Sequence, residues 1–104
     1  SSGARSDFTL AAPGLTPIQP FWTTNQNVRI AFAGAGGDAA NWIALHYAGE
    51  APDSYLAGYR ELAGADNGEV DFGQLTAGIY EAVLWLRQPD GSWQPGAFAW
   101  IAVR

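Results

Sequence analysis

Leu75-Thr-Ala-Gly-Ile-Tyr80-Glu-Ala-Val-Leu-Trp85-Leu-Arg87 is the stretch whose pattern decides the fold. Strand alternation puts Tyr80, Ala82, Leu84 and Leu86 on one side, and Glu81, Val83, Trp85 and Arg87 on the other. A Leu, a Gly and a Tyr leading into a long strand match a tyrosine corner. There the Tyr hydroxyl returns to the main chain and pins a connection between two sheets. The corner turns Tyr80 inward, so its side of the strand is expected to be core.

Period-two patterning recurs on both sides of this stretch. Residues 28–33 alternate with Val28, Ile30 and Phe32 on one face, and residues 42–48 read as the next strand. Residues 55–62 read as a short strand, a crossing segment or a helical turn, residues 69–72 as a short strand, and residues 97–104 as the last one. A first strand is expected at residues 7–11, broken afterwards by Pro13, Pro17 and Pro20. Gly34 to Asp38, Asp66-Asn67-Gly68 and Pro89-Asp90-Gly91 supply turns. The expected fold is all-β, an immunoglobulin-like β-sandwich of about seven antiparallel strands. It is expected to span residues 7–104 as a single domain, with residues 1–6 a linker or expression remnant.

Composition narrows the partners. Only 14% of the 104 residues are charged, the net charge is -5, and there is no Lys. Nucleic acid is not an expected partner, because phosphate binding needs clustered cations. An anionic membrane surface is disfavoured for the same reason. With 48% hydrophobic residues a core is easily supplied. The absence of cysteine removes disulfides and thiolate chemistry. Low charge and 5 Trp favour a secreted or periplasmic, monomeric domain.

The segments Val28-Arg-Ile-Ala-Phe32, Asn41-Trp-Ile-Ala-Leu45, Gly68-Glu-Val-Asp-Phe72 and Leu75-x-x-Gly78-x-Tyr80 resemble a known group. They look like the immunoglobulin-like accessory domains appended to bacterial calcineurin-like phosphoesterases and other exported hydrolases. The layout is more distantly similar to the SKICH fold. Asn41 stands where that group has Asp, and Ala44 where it has Gly. The resemblance implies an accessory role and supplies no catalytic residue.

A catalytic constellation is not evident. His46 is the one histidine, no Gly-x-Ser-x-Gly elbow occurs, and the carboxylates fall mostly at turns. Asp38 with Asn41, or Asp66 with Asn67, could meet a cation, but the dense acidic loop that calcium uses is missing. Neither enzymatic activity, a metal nor a cofactor is expected.

The aromatics carry the functional expectation. In an immunoglobulin-like topology, residues 42–48, 79–87 and 97–104 form three neighbouring strands of one sheet. Alternation sends Trp85, Phe98 and Trp100 outward as a stacking platform, with Trp42, Trp93, His46 and Arg87 as supporting contacts. Trp42 has two orientations open, since antibody domains bury the equivalent Trp. Trp93, in a hairpin loop, could grip a ligand or fold back on the sheet. Each exposed ring adds about 150–250 Å² of surface, enough together for a functional apolar patch. The expectation is a non-catalytic module that binds polysaccharide on this face. The other reading is an accessory domain that packs the face on a neighbouring domain of the same chain.

Overall fold

The computed structural model describes residues 13–51 and 55–104. They form seven strands: β1 Gly14–Pro17, β2 Asn27–Ala33, β3 Trp42–Tyr47, β4 Gly58–Glu61, β5 Gly68–Gln74, β6 Gly78–Arg87 and β7 Trp93–Val103. One sheet has the order β1-β2-β5 and the other β4-β3-β6-β7. Every pairing between these strands is antiparallel. This is an all-β immunoglobulin-like sandwich. Its fourth strand lies beside the third, which makes the sheet carrying β3, β6 and β7 the larger one.

The expected first strand at residues 7–11 lies outside the described residues. The proline segment that was expected only to break it contains β1, which pairs through Pro17 opposite Ile30. Proline is compatible with this position because β1 is an edge strand, bonded on one side alone. Residues 55–62, ambiguous in sequence, resolve into a turn followed by β4.

The core lies between the sheets. Val28, Ile30 and Phe32 face Ile43, Leu45, Tyr80, Ala82, Leu84, Ile101 and Val103, all buried in one cluster. Alternation placed these side chains because one face of each strand must leave water. Trp22 is also buried and closes one end. Its backbone bridges β7 by accepting from Arg104 N and donating to Ala102 O. Tyr80 makes the corner hydrogen bond: its hydroxyl donates to Thr76 O at 2.6 Å. Tyr47, which strand alternation puts on the same side as Ile43 and Leu45, is 45% exposed. It ends β3, and its ring meets Tyr80 from the edge of the cluster at 5.2 Å.

The β6–β7 ladder carries one irregularity with large consequences. Leu84 pairs with Ala97, but Trp85 pairs with Pro95, so Gly96 is an extra residue in β7. A bulge shifts the phase of side-chain alternation. Beyond Gly96, Ala97, Ala99, Ile101 and Val103 share the inner side. Before it, Trp93 stands opposite Arg87 and Pro95 opposite Trp85, on the outer side. A Cβ at Gly96 would lie 2.6 Å from Leu86 Cδ1 and 3.2 Å from Pro13 Cβ, so the bulge has room only for glycine as packed.

Candidate functional site

The outer face of the four-stranded sheet is organised in rows. One row runs Glu61, Trp42, Trp85, Pro95 across β4, β3, β6 and β7, and the next runs Tyr59, Ala44, Val83, Phe98. A third runs His46, Glu81, Trp100. Bulk is unevenly shared among them. Ala44 and Val83 are fully buried between their larger row neighbours, whereas Tyr59, Phe98 and Trp100 are half exposed or more.

Trp42 is the centre of the site. It points outward, which settles the two orientations left open by the sequence, and its ring stacks on Trp85 at 6.4 Å with 20° between planes. Tyr55, Tyr59 and Trp93 approach it edge-on at 5.9, 6.2 and 6.3 Å. Tyr55 and Tyr59 also meet edge-on at 5.8 Å. Trp42, Tyr55 and Tyr59 are thus mutually near-perpendicular, and their centroids form a nearly equilateral triangle. Rings at such separations and angles attract through their quadrupoles.

These rings line a cleft of about 480 Å³, with Ala40 and Glu61 completing it. Among the described residues, its lining offers aromatic surface, two phenol hydroxyls and one carboxylate. Trp85 supports Trp42 from beside the cleft without lining it. Its indole N–H is buried, with no hydrogen-bond partner among the described residues.

Two local devices hold Trp42 and Trp93 in place. The first is Asn41, 1% exposed. Its Nδ2 donates to Ala35 O at 2.6 Å, its Oδ1 accepts from Arg87 N at 2.8 Å, and its backbone carbonyl accepts from Leu62 N. The residue before Trp42 therefore ties the ends of β3 and β6 together. Its buried amide is directed at the Ala35 carbonyl and the Arg87 N–H rather than at Asp38. Asp38 and Asp66 instead accept from the nearby Ala40 and Gly36 backbone N–H groups. The second device is the β6–β7 turn. Asp90 accepts from the Ser92 hydroxyl and backbone N–H, which together hold its carboxyl below the ordinary value.

The structure redistributes the expected platform. Trp85 is half buried under Trp42 and acts as a support, while Trp93 reaches the cleft because Gly96 reset the phase of β7. Arg87 places its guanidinium 5.8 Å from the Trp93 ring centroid. Phe98 and Trp100 are 51% and 61% exposed on the same face, but they do not line the cleft. His46 must be corrected. Alternation directs it outward, yet it is 1% exposed, with Nε2 at 2.9 Å from Glu81 Oε1 and Nδ1 buried without a partner among the described residues. It occupies the inner strand β3 and is closed off from a ligand.

Sequence reasoning missed Tyr55, Tyr59 and Glu61. The signal available was the period of two between Tyr59 and Glu61, hidden in a segment that also read as a helical turn. Among the described residues, no group of three or more His, Cys, Asp or Glu is placed to hold a metal ion.

No protein-family model matches the chain, and no curated protein matches it. Among solved structures, it is similar to the PmoD soluble domain from Methylocystis sp. ATCC 49242. The TM-score is 0.62 at 12% identity, over 86% of this chain and 89% of that one. At this identity the likeness shows the fold. No helix among the described residues is long and apolar enough to cross a membrane.

Proposed function

We propose that this domain is a non-catalytic binding module that takes carbohydrate in the aromatic cleft around Trp42. The observation that carries the reading is the cleft itself: among the described residues, four rings and one carboxylate gathered from β3, β4, β7 and the turn before β4. The C–H face of a sugar stacks on such rings, and Glu61 and the Tyr hydroxyls can bond its hydroxyl groups. The rings are also held before a ligand arrives, which lowers the ordering cost of binding. Secretion belongs to this proposal too, supported by the low charge and the 5 Trp of the chain.

The test is a pull-down of the domain against insoluble and soluble polysaccharides, beside folded Trp93→Ala and Tyr59→Ala variants. Retention of the wild type on at least one glycan, lost in both variants, supports the reading. Retention unchanged in both variants, or none on any glycan, removes it.

A second reading has its own observation. Ile79, Phe98 and Trp100 are each more than half exposed on the sheet beyond the cleft. That surface suits an accessory domain packing on a neighbouring domain, the role implied by the resemblance to phosphoesterase-appended domains. Self-association of the isolated domain, abolished by Trp100→Ala, would favour this reading.

A further inference from the structure

The cleft around Trp42 differs from a flat sugar platform in two respects. Its walls stand at steep angles: Trp42 to Tyr55 78°, Trp42 to Tyr59 84°, Tyr55 to Tyr59 78°, and Trp42 to Trp93 88°. A flat pyranose can stack on one such plane at a time. A compact, rounded group can touch several rings at once. Among the described residues, the one charged residue in the lining is Glu61, and it is acidic. The domain as a whole carries -5. The negative faces of aromatic rings attract cations, and a carboxylate at the rim adds to that field.

We propose that the cleft selects an organic ammonium group seated among Trp42, Tyr55, Tyr59 and Trp93, with Glu61 as its counter-charge. This rests on the carbohydrate reading in its fuller form, in which the ammonium is borne by a sugar: the ligand is a polymer of free amino sugars, protonated and not acetylated. A quaternary alkylammonium shares the same chemistry. The structure already shows a cation drawn to this wall, since the Arg87 guanidinium lies 5.8 Å from the Trp93 ring centroid. Arg87 does not line the cleft. Its charge opposes an incoming cation and would not oppose a neutral sugar.

The test follows tryptophan fluorescence while the domain is titrated at pH 5.5 with a glucosamine hexamer, its fully N-acetylated counterpart and tetramethylammonium chloride. Glu61→Gln, Arg87→Gln and Tyr59→Ala are run beside the wild type. The expected result is roughly tenfold tighter binding of the glucosamine hexamer than of the acetylated one. It should weaken several-fold in Glu61→Gln, strengthen in Arg87→Gln, and disappear in Tyr59→Ala, which leaves net charge unchanged. Equal binding of both hexamers overturns cation selection while leaving the carbohydrate reading intact. Binding that persists in Tyr59→Ala shows mere attraction of a polycation to an acidic protein and also overturns it. Saturable binding of tetramethylammonium with neither hexamer bound upholds the cation site and removes the carbohydrate. Silence from all three ligands removes both.

Discussion

Trp42 and Trp85 face each other across β3 and β6, and their rings stack at 6.4 Å with 20° between planes. One of the pair supports and the other presents. Trp85 fills the sheet surface at the middle of its row, and Trp42 rests on it while Tyr55, Tyr59 and Trp93 close in edge-on. Stability and site are therefore coupled at Trp42. Trp42→Ala removes a half-buried ring that touches four others and should cost about 3 kcal/mol. A urea transition read by circular dichroism checks this, the midpoint falling with little change in slope.

Asn41 is the second coupling point. It joins Ala35 O to Arg87 N through one buried amide. Asn41→Ala leaves both of those backbone groups without their partner inside the fold, at a cost of about 1–3 kcal/mol. Amide hydrogen exchange should report the loss at Arg87 first, with a rate increase larger there than in the centre of β6.

Gly96 sets which face Trp93 occupies. A Cβ there would press into Leu86 Cδ1 and Cγ at 2.6 and 3.1 Å, with Pro13 at 3.2 Å. Leu86 can yield at its tip, but its branch point and the proline limit the movement. Gly96→Val should lower stability by about 1–3 kcal/mol and displace Trp93 from Trp42. Near-ultraviolet circular dichroism, which reads coupled aromatic rings, should change more than the far-ultraviolet spectrum.

Tyr80→Phe isolates the corner. It deletes the hydroxyl that donates to Thr76 O and leaves the ring in the core. The expected loss is about 1 kcal/mol, seen as a lower urea midpoint, with ligand binding at the cleft unchanged because Tyr80 faces the opposite side of the sheet.

The sandwich was legible because its core strands obey a period of two: Val28-Ile30-Phe32 and Tyr80-Ala82-Leu84 each withdraw one whole face from water. The corner Tyr was legible because its neighbours Leu75 and Gly78 have fixed spacing. The site was only partly legible, for three physical reasons. A bulge at Gly96 carries no unambiguous mark in sequence, yet it alone brings Trp93 outward. Facing outward is not the same as being exposed, and His46 shows the difference: it points to the outer face of the sheet and is closed over. Tyr55 and Tyr59 sit in a segment whose period favoured neither helix nor strand, so their meeting with Trp42 depended on a tertiary pairing, Ala44 opposite Tyr59, that no local pattern announces.

The central claim is that ligand enters the cleft at Trp42, and the five indole N–H signals of this chain can report it individually. The measurement is a nitrogen–proton correlation spectrum of the labelled domain, titrated with the glucosamine hexamer. The account predicts saturable shifts at Trp42 and Trp93 with one shared Kd, a smaller shift at Trp85, and still signals from Trp22 and Trp100. Shifts led by Trp100 with Trp93 unmoved would contradict it and place the contact on the open part of the sheet.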